Sequence, residues 1–172
     1  MGEQFMHFPD EFQKYWCKIF VEFGADIVFS DHPHAVQPIE WVKDGDRDVL
    51  IVHCPGNFIN SFTKYDGDAS MMVECYLDPE TSKPFASAIV PIYAYSKQSR
   101  SHVENYSGIP IYKLMKDESI CPELSRYECF RIQAVQRIVT KTAIGVELGL
   151  DQIQKRYYTF PDLGYVRHKT DH

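Results

Sequence analysis

A change of hydrophobic period near the amino terminus is the feature that most constrains the fold of this chain. Between Pro9 and Gly24, large apolar residues recur at helical spacing and predict one apolar stripe of an amphipathic helix. The stripe consists of Phe12, Trp16, Ile19, Phe20 and Phe23. Residues 25–30 (ADIVFS) then form a short, nearly continuous apolar run, which is typical of a strand buried on both faces. A helix followed directly by such a strand predicts the α/β class.

Strand patterns dominate the middle of the chain. Residues 38–43 and 48–54 flank the turn formers at 44–46, so they predict a β-hairpin. Residues 71–77 and 85–95 are rich in Val, Ile and Tyr and are joined by a turn-like segment, DPETSKP. They predict a second, antiparallel hairpin.

The last part of the chain is polar at first and then helical. Residues 96–122 are polar and rich in turn formers, so they predict a connection or surface segment. From Glu123, apolar residues recur at helical spacing and predict a helix that ends before Gly145. We therefore expect one domain, with residues 1–95 as its main part and 96–172 as a connector and helical extension packed on it.

Composition excludes several classes of protein. The 172-residue chain is 44% hydrophobic, which suffices for one sizeable core, and its net charge of −6 argues against a nucleic-acid partner. It contains no apolar run long enough to span a bilayer. Its cysteines include no Cys-x-x-Cys pair and are predicted to be buried small hydrophobic residues in a reducing compartment. They are Cys17, Cys54, Cys75, Cys121 and Cys129.

Two histidines flank a proline directly after the first predicted strand. His32 and His34 can direct their imidazoles at neighbouring points, as a site for divalent transition metals requires. Loops at the carboxyl ends of strands are also where open α/β sheets place their chemistry. The alternative is that both are ordinary exposed polar residues of a loop.

Three segments together resemble a known family. They are GADIVFSDHPHAVQPIE at 24–40, VLIVHCPGNF at 49–58 and MGEQFMHFPDEFQKYW at 1–16. Taken in their order along the chain, these segments are similar to the motifs of the poly-gamma-glutamate capsule biosynthesis (CapA, PGA_cap) family, a bacterial branch of the calcineurin-like metallophosphoesterases. Two ordered motifs and a flanking pattern are far more specific than one His-x-His.

The resemblance implies a fold and a site. The fold would be the carboxyl-terminal part of a four-layer α/β/β/α metallophosphoesterase-like sandwich, with mixed sheets, antiparallel hairpins and a terminal helix. His32 and His34 match metal ligands of the family, and Asn57 matches a catalytic position, where it would donate its amide to substrate or shape the loop. The family site holds two divalent ions. Mn, Zn, Fe and Mg are equally compatible with this chain.

Four further residues are candidates for supporting roles at that site. Asp31 stands where the family usually has a histidine, and it either accepts a hydrogen bond from a ligand imidazole or is an ordinary loop carboxylate. Gln37 and Glu40 match family positions and either support the histidine loop or lie at a strand edge. His53 precedes the Gly-Asn pair and either faces the site or is a satisfied strand histidine. A cysteine and a proline replace the first two residues of the family's Ser-Leu-Gly-Asn-Phe at 54–58.

The resemblance also implies that most ligands lie upstream of Met1, because the family's early Gly-Asp, Asn-His and histidine motifs have no counterpart here. This chain alone is therefore not expected to hydrolyse phosphoesters. The expected function is capsule or exopolymer synthesis, acting on an anionic polymer or a phosphoester, with membrane association only through a segment not in this chain. The alternative is a non-catalytic half-domain that binds or assembles, for example by self-association through an exposed sheet edge. The compartment, cytoplasmic or cell-envelope, stays open.

Overall fold

A computed structural model describes residues 1–59, 66–98, 103–116 and 124–167. In these residues the chain forms three α-helices, one 3₁₀ turn and two β-sheets. The helices are α1 (Glu11–Glu22), α2 (Ile111–Lys116) and α3 (Arg126–Ile144), and the 3₁₀ turn is Leu150–Gln152. The strands are β1 (Ile27–Phe29), β2 (Ile39–Asp44), β3 (Arg47–Val52), β4 (Ala69–Leu77), β5 (Pro84–Gln98), β6 (Val103–Pro110), β7 (Tyr157–Phe160) and β8 (Gly164–Val166). The predicted mixed α/β class is confirmed.

Helix α1 begins as predicted but turns a different face to the core. The Asp10 carboxylate caps it by accepting the backbone N–H of Gln13 at 2.7 Å. The buried residues are Gln13, Cys17 and Val21, which repeat every four positions and pack over the first sheet. Inside, the Gln13 carboxamide donates to Ser30 Oγ and to the carbonyl oxygen of His53.

The aromatic stripe of α1 lies in solvent. Phe12 is 60% exposed and Phe23 is 87% exposed, and Trp16 and Phe20 are exposed as well, although Ile19 is partly buried. An apolar stripe normally faces the core, so its exposure here departs from the usual pattern of an amphipathic helix. The reason is that the hydrogen bonds of Gln13 fix the neighbouring face of the helix, which carries Gln13, Cys17 and Val21, on the sheet. We call Phe12, Trp16, Phe20 and Phe23 the aromatic stripe.

The first sheet has the order β1-β3-β2, with β1 parallel and β2 antiparallel to β3. The predicted hairpin of β2 and β3 is confirmed. Strand β1 is buried on one face only: Val28 packs under α1, whereas Ile27 and Phe29 are 38% and 58% exposed. The prediction of burial on both faces is therefore wrong, because the described residues leave the face that carries Ile27 and Phe29 exposed. Within these residues β1 also pairs with β3 alone and forms an edge of the sheet.

The second sheet follows the order β4-β5-β7-β8, and β6 pairs with β5. The predicted hairpin of β4 and β5 is confirmed. The prediction of a connecting segment at 96–122 is wrong for part of its length. Strand β5 continues to Gln98, and the described residues beyond it form β6 and α2. Residues 117–122 of this segment lie outside the described residues.

Helix α3 confirms the predicted carboxyl-terminal helix. Ser125 and Glu128 form a reciprocal capping box at its start, and Gly145 ends it in the left-handed conformation with φ +74°. Its aromatic residues Tyr127 and Phe130 are exposed, and its aliphatic face is buried. None of the helices in the described part of the chain is both long and apolar enough to cross a membrane.

One main core joins both sheets to α2 and α3. Its buried members are Val36, Leu50, Val52, Ala69, Met71, Ile89, Tyr93, Ile111, Leu114, Ile132, Val135, Val139, Ala143, Leu148 and Tyr157. A polar contact adds to it, because the Trp41 indole N–H donates to Thr159 Oγ1 across the two sheets at 3.1 Å. The second sheet therefore supports the first sheet, whose β1 and β3 lead into the candidate site.

Candidate functional site

The histidine loop follows β1 and has an unusual backbone. His32 and His34 both have positive φ angles, 109° and 59°, in a region that residues with a side chain rarely adopt. Such conformations cost about 1–3 kcal/mol each and persist only where surrounding contacts impose them. Here the Asp31 carboxylate accepts the backbone N–H of His32 at 2.7 Å, and the N–H of Phe5 donates to the Pro33 carbonyl at 2.6 Å.

Asn57 fixes the tautomer of His34. The Asn57 Nδ2 amide donates to the His34 carbonyl oxygen at 3.0 Å, so its Oδ1 is the atom that lies 2.7 Å from His34 Nδ1. An amide oxygen only accepts hydrogen bonds, so Nδ1 of His34 carries the proton. The lone pair of the ring is then on Nε2, which is the form of imidazole that binds a metal.

The segment before Asn57 requires a glycine. Gly56 has φ +80°, and a Cβ at this position would lie 2.5 Å from the carbonyl oxygen of Ala69. This close approach presses the loop onto the start of β4 and brings Asn57 Nδ2 within 3.4 Å of the Gly67 carbonyl. The Gly-Asn pair thus connects the histidine loop to the second sheet.

His32 and His34 lie side by side. Their ring centroids are 5.8 Å apart, and His32 is exposed while His34 is half-buried. Asp31 directs its carboxylate to the backbone of His32 and lies 3.7 Å from Cys54 Sγ. Within the ranges that the structure describes, no group of three or more His, Cys, Asp or Glu side chains converges on a common point. The described part of the chain therefore offers two imidazoles at this loop.

The other candidates lie elsewhere. Gln37 is buried and donates to the Met6 carbonyl at 3.0 Å, so it holds the amino-terminal segment. Glu40 and His53 pair with each other on the side of the sheet that α1 covers, with 3.2 Å between Glu40 Oε2 and His53 Nε2. The structure thus brings His32, His34, Asp31 and Asn57 together, and it does not bring Gln37, Glu40 and His53 to them.

A third residue, Cys17, joins the pair of Glu40 and His53 between α1 and the first sheet. Sequence reasoning did not single it out as a site residue. Cys17 Sγ lies 3.8 Å from His53 Nδ1, and both side chains are buried. Burial lowers the pKa of His53, but its contacts with Cys17 and Glu40 more than offset this and raise the pKa to about 9. The four-residue spacing of Gln13, Cys17 and Val21 was the one sequence indication of the buried face of α1. The aromatic stripe has helical spacing too and was the stronger indication.

We expect the Asn57→Ala substitution to lower the free energy of unfolding by about 2 kcal/mol, because it removes the hydrogen bonds that hold His34 and the Gly67 carbonyl. Urea unfolding measures this loss, and nitrogen NMR shifts of His34 report its tautomer. The Asn57→Asp variant is the matched control, since it keeps the acceptor for Nδ1 but loses both donors. An Asn57→Ala protein with unchanged stability and an unchanged His34 tautomer would contradict this prediction.

Comparison with known proteins gives one finding. Residues 1–61 match the family model described as bacterial capsule synthesis protein PGA_cap. The match confirms the predicted resemblance over a span that includes the histidine loop and Asn57. It ends before β4, so nearly all of the second sheet and helices α2 and α3 lie beyond it. No curated protein and no solved structure was found to match the chain.

Proposed function

We propose that this chain supplies part of a metal-dependent, phosphoesterase-type site to a protein of bacterial capsule synthesis. The family match over residues 1–61 implies the involvement in capsule synthesis. The reaction type is our inference from the chemistry of the matched residues. It rests chiefly on one observation, the pair of adjacent imidazoles on a strained loop, one of which Asn57 holds in the tautomer that binds metals.

In this proposal His32 and His34 each donate one imidazole nitrogen to a divalent metal ion. Such an ion would polarise a phosphoryl oxygen and acidify a water molecule. Asn57 keeps the His34 ring oriented through Nδ1, and Asp31 keeps the backbone of His32 in place. The substrate would be a phosphoester or another anionic group of an exopolymer. Mn, Zn, Fe and Mg are all compatible with two imidazoles completed by further ligands.

A two-metal site needs more ligands than two imidazoles, so we propose that residues of the same protein outside the described ranges complete it. The exposed surface next to the loop is consistent with this. The outer edge of β1 is open within the described residues, and the aromatic stripe lies on the helix that directly precedes β1. A further β/α segment packed there would give the four-layer sandwich that the resemblance implies.

A second candidate function is a non-catalytic assembly module. The aromatic stripe and the open edge of β1 favour it, because exposed apolar patches and unpaired edges mark surfaces that bind partners. In that case the same surface would bind another protein or a second copy of this chain, and the histidine loop would have no metal.

One experiment separates these functions. The native product is isolated, its amino terminus is mapped by mass spectrometry, and its Mn²⁺-dependent hydrolysis of p-nitrophenyl phosphate is measured. We expect His34→Ala and His32→Ala to lower this activity at least about 100-fold, as loss of a metal ligand should. His7→Ala is the matched control, because this histidine contacts Asp66 and the Val36 carbonyl instead. A native product without metal-dependent hydrolysis, which self-associates through the aromatic stripe, would support the assembly module instead.

A further inference from the structure

Three side chains form a line between α1 and the first sheet, away from the histidine loop. Cys17 Sγ lies 3.8 Å from His53 Nδ1, and Glu40 Oε2 lies 3.2 Å from His53 Nε2. The two ring nitrogens point in different directions, so no single ion could contact all three groups. The order thiol, imidazole, carboxylate is instead the order in which an imidazole assists a nucleophile and a carboxylate holds the imidazole.

A cavity opens onto these groups. It has a volume of 300 Å³ and lies between α1 and β2. Besides Cys17, His53 and Glu40, its charged lining residues are Lys14, Lys18, Glu22, Lys43 and Asp44. The His53 side chain is only 3% exposed, and its Nε2 makes no regular hydrogen bond in addition to the ion pair with Glu40. A buried imidazole nitrogen therefore faces a space large enough for a small polar molecule.

We propose that Cys17 is a reactive thiol that small hydroperoxides oxidise through this cavity. The Cys17 thiolate attacks one oxygen of the peroxide, and a sulfur–oxygen bond forms as the oxygen–oxygen bond breaks. The leaving oxygen takes a proton from the His53 imidazolium. For hydrogen peroxide, the products are a sulfenic acid on Cys17, one water molecule and a neutral imidazole, so sulfur is oxidised by two electrons and the peroxide is reduced by two.

The surroundings of His53 supply what this step requires. An imidazolium beside a sulfur atom stabilises the thiolate, and the carboxylate of Glu40 in turn stabilises the imidazolium. The three lysines of the lining are balanced by three carboxylates, Glu22, Glu40 and Asp44, so the cavity suits an uncharged oxidant such as hydrogen peroxide. Cys17 itself is 2% exposed, which favours a small oxidant.

Two other cysteines provide internal controls. Burial raises the pKa of Cys54 to about 11, so this thiol should stay protonated and unreactive. Cys129 is exposed on α3, contrary to the prediction that the cysteines are buried, so it reports the reaction of an accessible thiol. Cys121 lies outside the described residues. If accessibility governed oxidation, Cys129 would react first and Cys17 would be protected.

The test is brief oxidation of the folded chain by hydrogen peroxide and removal of the peroxide. The chain is then unfolded in urea with dimedone, which traps the sulfenic acids already formed, and its peptides are analysed by mass spectrometry. We expect Cys17 to be oxidised at least about tenfold faster than Cys129, because the His53 ring beside its sulfur can give a proton to the leaving oxygen. Glu40→Gln should lower the Cys17 rate several-fold, and His53→Gln should remove the preference for Cys17. Glu40 is half-exposed, so its substitution tests the proposal even if His53→Gln does not fold.

Circular dichroism and urea unfolding establish that each variant is folded before its rate is compared. Slower trapping of Cys17 than of Cys129 in the wild-type chain would overturn the proposal. An unchanged Cys17 rate in folded Glu40→Gln would overturn the role of the carboxylate–imidazole pair. The reaction uses neither His32 nor His34, so failure of the metal-site proposal would leave this result unaffected.

Discussion

Replacement of Arg131 by alanine is expected to cause the largest loss of stability, about 3–5 kcal/mol, because it leaves a buried carboxylate without its cation. Arg131 lies on α3, where Nε donates to Asp68 Oδ2 at 2.8 Å and Nη2 donates to Asp68 Oδ1 and to Asp66 Oδ1. The side chain of Asp68 is 4% exposed and that of Arg131 is 15% exposed. The hydrogen bond to Asp68 also raises the pKa of Arg131, so the guanidinium stays charged at every relevant pH.

The matched control is Arg156, which directly precedes β7. Arg156 makes the same two-pronged contact with Glu74, at 2.6 and 2.8 Å, but the two side chains are 30% and 28% exposed. Solvent screens this pair, so Arg156→Ala should cost only about 1 kcal/mol. Arg131→Lys should fall between the two values, because lysine keeps the charge but not the planar fork. Urea unfolding at constant pH measures all three, and equal losses for Arg131→Ala and Arg156→Ala would contradict the burial argument.

The Arg131→Ala substitution should also affect the histidine loop. Arg131 fixes the turn at 66–68, the Gly67 carbonyl of that turn accepts from Asn57, and Asn57 holds His34. Loss of Arg131 should therefore loosen the His34 ring as well as lower stability. Nitrogen NMR of His34 in the Arg131→Ala variant, under conditions where it is folded, detects this second effect.

The sequence predicted those parts of the fold that local patterns determine. Both hairpins have alternating or β-rich strands around turn formers, and α3 has helical spacing and a terminal glycine, so each was predictable from a short window. Strand β6 was not predictable in this way. Its residues, VENYSGIP, include glycine, proline and several polar side chains, and the strand exists because it pairs with the long strand β5.

The sequence was misleading where tertiary contacts outweigh composition. The aromatic stripe suggests the buried face of α1, yet the helix is fixed by Gln13, whose carboxamide donates to Ser30 and to the backbone of His53. A glutamine with two buried partners far along the chain gives no signal in a local window. Likewise β1 has a sequence typical of a central strand but is an edge within the described residues.

The candidate site divides in the same way. His32, His34 and Asn57 were named from motifs, but the proton on His34 Nδ1 follows only from the orientation of the Asn57 amide. Glu40 was named for the histidine loop because it matches a family position, and His53 because it precedes the Gly-Asn pair. Their actual partner, Cys17, lies on a different element, and only the packing of α1 on the sheet brings the three together.

The second large effect is a dependence of stability on pH that arises from His53. Its pKa in the folded protein is about 9, above the ordinary value of 6.5, so folding binds a proton between these two values. A raised pKa stabilises the folded protein fully below pH 6.5, and this stabilisation is lost as the pH rises towards 9. The shift corresponds to at most about 3 kcal/mol, and half-exposed Glu40 is screened by solvent, which reduces it.

We expect the free energy of unfolding to fall by up to about 2 kcal/mol between about pH 6 and about pH 8, as measured by urea titration. Glu40→Gln removes the carboxylate that faces His53 and should make this slope smaller. The other charged groups of the cavity are the same in both proteins and cancel in the difference between the two slopes. They are Lys14, Lys18, Lys43, Glu22 and Asp44. The Cys17→Ser variant measures how much the contact with the sulfur atom contributes to the raised pKa of His53.

The Glu40→Gln comparison is decisive because the remaining histidines contribute equally to both proteins and cancel in the difference. A Glu40→Gln slope as steep as that of the wild type would mean that the carboxylate does not hold a proton on His53. The proton on His53 would then be held by other contacts, such as that with Cys17 Sγ, and Glu40 would have no part in the reactivity of the thiol. A smaller slope, together with slower trapping of Cys17 in the same variant, would instead tie the stability of this cavity and the reactivity of its thiol to one ion pair.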